Sequence, residues 1–213
     1  MKHLISKYID HSNFNEISVL IDTFDKHVID CVNWTAFSDK PKVEFSLAYS
    51  KDYLFLKYFV KEDYSIANTD FDNGPVWQDS CVEFFVSLDG GKNYYNFEFN
   101  CIGKCLLAYG AGRNNREFAS DDILKSIIRI PSLPVQCFAE TTLPEAWTLF
   151  VAIPLKAFFR EMNQSINFEN ITANFYKCAD GLSKPHYLSF FPIKTPQPDF
   201  HQPTYFEKIA FNF

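Results

Sequence analysis

Glycine and methionine are scarce, at 7 and 2 of 213 residues. The usual glycine share is about 7%, so flexible linkers and glycine-rich low-complexity tracts are excluded. Met1 and Met162 are the only methionines, which leaves little for a Met/His haem ligand pair. Basic charge is also lacking. The formal net charge is −6, so no cationic surface is available to displace counterions from nucleic-acid phosphate. No run approaches the ~20 apolar residues of a membrane-spanning helix, and the N-terminus lacks the apolar core and cleavage site of a secretory leader. The expectation is a soluble, cytoplasmic protein, or an extracytoplasmic one if a leader has been removed. The six cysteines (Cys31, Cys81, Cys101, Cys105, Cys137, Cys178) contain no CxxC pair, which argues against a structural zinc site and for buried free thiols. After Gly110-Ala111-Gly112 the third glycine of a dinucleotide loop is missing, with Asn115 in its place.

Aromatic residues are abundant, with 24 Phe and 11 Tyr, and such chains favour sheets. Val43, Phe45, Leu47 and Tyr49 alternate with polar or small residues. Tyr53 to Val60 is apolar on both faces, which predicts a central strand covered on both sides. Further strands are expected at 104–109, 126–130, 135–141, 147–153, 171–178, 186–191 and 206–213. Short helices are expected at Asp121–Lys125 and Pro154–Met162. The fold class is therefore all-β: one antiparallel β-sandwich domain over 1–213, immunoglobulin- or jelly-roll-like, with one or two short helices.

The stretch Val76 to Asn100 carries the functional signal. Val82, Phe84, Val86 and Leu88 share one face of a strand, and Tyr95, Phe97 and Phe99 one face of the next. The opposite faces carry Cys81, Glu83, Phe85 and Asn96, Glu98, Asn100, with Trp77 just upstream. Carboxylates, carboxamides and an indole on a rigid sheet suit a polyhydroxylated ligand.

The run Trp77-Gln78-Asp79-Ser80-Cys81-Val82-Glu83-Phe84-Phe85 resembles the W-x-D-D-x-V-E signature of the family 9 carbohydrate-binding modules. Trp34, Tyr95 to Asn100, and Phe200-His201-Gln202-Pro203 with Phe206 and Ile209 to Phe211 are similar to further parts of that family. The resemblance implies a β-sandwich that holds sugars, often at chain ends, between two aromatic side chains, usually appended to glycoside hydrolases. It assigns Trp77 as one aromatic wall and Glu83 as an acidic hydrogen-bonding residue. Glu98 stands where studied members have Arg, and Phe190 where they have the second Trp. Ligand-binding candidates are thus Trp77, Glu83, Asn96, Glu98 and Phe190, with carbohydrate as partner and no cofactor. Asp70 to Gly74 hints at a structural calcium loop, but it lacks the remaining EF-hand spacing and reads better as a turn. Two alternatives stay open: a glycosidase using Asp79, Glu83 or Glu98, and a ligand-less interaction module.

Overall fold

The computed structural model describes residues 5–10, 13–143, 145–161 and 171–211. In chain order the strands are β1 (Ile5–Tyr8), β2 (His27–Val28), β3 (Cys31–Val32), β4 (Lys42–Tyr49), β5 (Tyr53–Lys61), β6 (Ser65–Ala67), β7 (Cys81–Ser87), β8 (Tyr94–Asn100), β9 (Cys105–Gly110), β10 (Glu117–Phe118), β11 (Ile128–Pro131), β12 (Phe138–Thr141), β13 (Trp147–Pro154), β14 (Thr172–Cys178), β15 (Tyr187–Ser189), β16 (Glu207–Lys208) and β17 (Ala210–Phe211). The helices are α1 (Phe14–Ile21) and α2 (Asp121–Ser126). One large sheet runs β11-β13-β5-β4-β1-β17 with β2 beside β4, and the other runs β10-β9-β8-β7-β14-β15-β3 with β16 beside β14. Pairing is antiparallel except where β1 lies parallel to β4 and β17.

The alternation read from the sequence fixes which faces meet. Val43, Phe45, Leu47 and Tyr49 of β4 and Leu54, Leu56, Tyr58 and Val60 of β5 pack against Val82, Phe84 and Val86 of β7 and Tyr95, Phe97 and Phe99 of β8. Phe45 stacks on Phe175 at 4.1 Å, and Phe84 on Phe175 at 5.0 Å. Fully burying each such side chain is worth ~1.5–3 kcal/mol, so this interface dominates the stability of the sandwich.

The double-sided apolar character of β5 has its cause in α1. Phe55 points away from the inter-sheet core and packs with Ile17 and Ile21 of that helix. The helix is capped by Asn13, whose side-chain oxygen accepts from the amides of Asn15 and Glu16. The helix expected at Pro154–Met162 does not form as such. β13 extends through Pro154, a single 3-10 turn follows over Leu155–Ala157, and Met162 lies outside the described residues. The Leu155 amide is drawn across to the Asp52 carbonyl at 2.9 Å, which directs the chain out of a helical path.

A polar cluster is enclosed beside the core. Lys177 Nζ pairs with Glu62 Oε2 at 2.8 Å, while Trp147 Nε1 donates to Glu62 Oε1 at 2.8 Å. The ring of His186 lies 3.6 Å from the same carboxylate without a hydrogen bond.

Candidate functional site

The outer face of the second large sheet carries a cavity of about 270 Å³. Its floor is made of Glu83 and Phe85 from β7, Asn96 and Glu98 from β8, Leu106 and Ala108 from β9, and Cys178 from β14. These are the residues that alternation turns away from the core. A volume near the low end of the ~300–1,000 Å³ range for small-molecule sites suits one compact ligand.

Trp77 forms part of one wall. It is half-buried and sits in a 3-10 turn, Val76–Gln78. The loop after β14 clamps that turn, with Asp180 N donating to the Trp77 carbonyl at 3.2 Å and Gly181 N to the Gln78 carbonyl at 2.8 Å. A Cβ at Gly181 would stand 2.6 Å from the Gln78 carbonyl oxygen, so only glycine allows this approach. Asp79 has no part in the cavity wall. Its buried carboxylate accepts from the amides of Asn68 and Thr69 and from Asn100 Nδ2, and so ties β8 to the segment after β6.

The opposite wall is the closing loop. Phe200 stacks on Tyr176 at 4.3 Å, Trp34 Nε1 donates to the Thr195 carbonyl at 2.9 Å, and the Tyr94 hydroxyl is 2.7 Å from His201 Nδ1. Pro198, Asp199, Phe200 and His201 thereby face the cavity. A third wall comes from the loop between β9 and β10. Arg116 lies over the Tyr94 ring at 4.2 Å and donates from Nε to Asn96 Oδ1 at 2.9 Å, from Nη1 to the Gly112 carbonyl at 2.7 Å, and from Nη2 to the Tyr94 carbonyl at 2.8 Å.

Glu83 and Glu98 are direct cross-strand partners. Cys178 Sγ donates to Glu83 Oε1 at 3.1 Å, and Asn96 Nδ2 donates to Glu98 Oε1 at 2.8 Å. The second oxygen of each carboxyl is buried without a partner. Burial pushes Glu98 up to about 7, reinforced by Asp180 and offset by Asn96 and Arg116. Glu83 is raised well above the ordinary carboxylate range by burial, then by Cys178 and Glu98. Burial also lowers His201 to about 3, so that ring is neutral.

Cys81, Glu83 and Cys178 bring three ligand-type atoms within 4.8 Å of one another. Burial holds Cys81 up at about 12 and raises Cys178 well above the ordinary thiol value, so both are thiols, and both donate to Glu83 Oε1. Ionising both beside Glu83 and Glu98 would crowd four negative charges into a buried space. In the Asp70–Gly74 segment, read as a turn rather than a calcium loop, Asp72 is engaged by Arg129 at 2.5 and 3.1 Å and by the Cys105 amide.

Four of the five expected ligand-binding residues, Trp77, Glu83, Asn96 and Glu98, thus line one cavity. Phe190 does not. It is 2% exposed and lies between the sheets against Phe45 and Phe175. Alternation along β15 explains the correction, since Leu188 and Phe190 share the core face and Tyr187 takes the cavity face. The aromatic groups facing Trp77's cavity are therefore Phe85, Phe118, Tyr187 and Phe200. Sequence reading also missed Arg113, Arg116, Asp180 and Asp199 as site residues. The polar run Arg113–Glu117 was a signal for two of them.

The family model described as carbohydrate-binding family 9 matches residues 14–211. The chain belongs to that family. A crystal structure of a protein from Bacteroides uniformis, described as a candidate carbohydrate-binding protein, is 37% identical, with a TM-score of 0.92 over 99% of both chains. A family 9 module from Caldicellulosiruptor kristjanssonii, solved with glucose, shares 13% identity at a TM-score of 0.63, covering 99% of this chain and 96% of that one. The same organism's module solved with cellotriose gives 12% and 0.63, covering 99% and 93%. At that identity the last two likenesses speak for the fold. No curated protein matches the chain. Among the described residues no helix is long and apolar enough to cross a membrane.

Proposed function

We propose that this family 9 protein is a non-catalytic carbohydrate-binding module that takes a sugar, or the end of an oligosaccharide, into the cavity beside Trp77. One observation carries the reading: an indole, opposed carboxyl groups and a carboxamide converge on a single preformed cavity. Trp77 supplies an apolar face for the C–H surface of a pyranose. Asn96 Nδ2 and Oδ1 are already used by Glu98 and Arg116, so Asn96 orients its neighbours. The idle oxygens of Glu83 and Glu98 are left for ligand donors. The rigid sheet and the clamped Trp77 turn fix this arrangement before the ligand arrives, which limits the ordering cost of binding.

The test is a glycan array followed by calorimetry on the wild type and Trp77→Ala. Truncating an aromatic anchor costs ~2 kcal/mol or more, roughly thirtyfold in affinity. The expected outcome is loss of sugar binding with an unchanged circular dichroism spectrum. Failure of the wild type to bind any sugar at millimolar concentration would overturn the reading. Release of reducing sugar from an oligosaccharide would replace it with the glycosidase alternative.

A further inference from the structure

The two idle carboxyl oxygens define what the ligand must bring. Glu83 and Glu98 are 3% and 4% exposed, stand opposite one another on β7 and β8, and each has one oxygen satisfied and one without a partner. A buried charged group with an unmade hydrogen bond costs more than a neutral one. No cation among the described residues reaches those oxygens. Arg116 spends its donors on Asn96 and on backbone carbonyls. Arg113 is mostly exposed and lies 3.9 Å from Asp199. Lys177, on the neighbouring strand, points to the other face and pairs with Glu62.

The surrounding groups do not supply the missing charge either. On β7 and β14 the facing titratable groups are the thiols of Cys81 and Cys178, both held protonated by burial. Tyr187 on β15 is raised to about 12 by burial and then Asp180, so it is neutral. Tyr94 on β8 and Tyr176 on β14 are likewise raised by burial and stay neutral. His201, on the closing loop, is neutral as well. Asp180 and Asp199 add two more carboxyl groups to the cavity lining against the two arginines. A ligand hydroxyl offers one donor and no charge, whereas an ammonium offers three donors and the opposite charge.

Building on the carbohydrate reading above, we propose that the sugar selected by this cavity carries a free amino group, whose ammonium lodges between Glu83 and Glu98. In the empty site burial and mutual repulsion keep a proton on the carboxyl pair. The ammonium takes the place of that proton, so binding of an amino sugar near neutral pH releases a proton to solvent. An N-acetylated sugar has one amide N–H and no charge, and cannot make the exchange.

Calorimetry tests this with glucosamine and galactosamine, each against its neutral parent and its N-acetyl derivative. The titrations are run at about pH 6, where the amine is fully ionised and the carboxyl pair still holds its proton, in two buffers of different ionisation enthalpy. Charge-assisted hydrogen bonds exceed neutral ones by enough to give about a tenfold preference or more. The expected result is that preference for one amine over its parent, with proton release, and its collapse to less than about twofold in Glu98→Gln. Glu83→Gln serves as the second variant should Glu98→Gln fail to fold, and Trp77→Ala must abolish the amine's binding, which separates the cavity from general attraction of cations to an acidic protein. A wild type that binds the neutral parent as tightly as the amine overturns the inference and leaves the carbohydrate reading standing. A wild type that binds no sugar of either kind overturns both.

Discussion

Arg116 illustrates at the residue scale how a side chain can build a site without being free to bind in it. Its side chain is half-buried, and burial lowers its pKa while Tyr94 and Glu98 partly restore it. The five carbonyl and carboxamide oxygens it serves hold the Gly110–Arg116 loop against β8 and β9. Arg116→Met keeps the apolar stem and removes the donors. Each buried acceptor left unpaired costs ~1–3 kcal/mol, so a loss of roughly 3 kcal/mol in urea unfolding is expected, with weaker sugar binding. Arg113→Ala, at the exposed rim, should leave stability within ~0.5 kcal/mol. Equal effects from the two substitutions would sink this account. Trp77, Glu83, Asn96 and Glu98 were legible because strand parity and a local motif both point at them. Phe190 was misplaced because motif likeness located the position without fixing its parity. Asp180, Asp199 and Arg116 come from loops, where no period marks which side chains turn inward.

At the scale of elements, legibility followed length and repetition. β4, β5, β7, β8, β13 and β14 each hold seven or more residues, enough alternation to mark a face. The two-residue strands β2, β3 and β10 exist through hydrogen bonds to longer neighbours, and no local pattern encodes them. α1 left a readable signal that was missed. Asn13 caps its first turn and also donates to Glu16 Oε1 at 3.0 Å, and Ile17 and Ile21 lie one turn apart. The inter-sheet contact gives the sharpest test of the register. Phe84 is 1% exposed and stacks against Phe97 and Phe175. Phe84→Ala is expected to cost ~3–5 kcal/mol through lost transfer energy and the cavity it leaves. Phe71→Ala, at a residue 58% exposed, should cost far less. Chemical denaturation of both variants checks the contrast, and similar midpoints would contradict the assigned faces.

At the scale of the whole molecule, two buried polar clusters set opposing responses to pH. On the cavity floor, Glu98 rises from 4.5 to about 7 on folding, and Glu83 shifts in the same direction. The folded state holds these protons more tightly, so the Glu98 contribution is full below about pH 4.5 and is lost as pH rises through about 7, with Glu83 acting in the same direction. In the enclosed cluster, burial and then the charge of Lys177 lower His186 from 6.5 to about 2. The folded state favours the neutral ring, so that contribution is full above about pH 6.5 and is lost as pH falls towards 2. Asp72, held below its ordinary value by Arg129 and the Cys105 amide despite burial, steepens the same acid limb. Between about pH 4.5 and 6.5 the two slopes oppose one another, and outside that window only one acts. The melting temperature should therefore be flattest there, falling on both sides. Glu98→Gln removes a titrating group from the upper limb and should flatten the decline between about pH 6.5 and 8, while His186→Gln should flatten the decline below about pH 5 and leave the upper limb alone. Thermal melts across that range decide the matter. An upper limb equally steep in wild type and Glu98→Gln would show that the carboxyl pair on the cavity floor does not hold its proton, and the site would then be charged when empty.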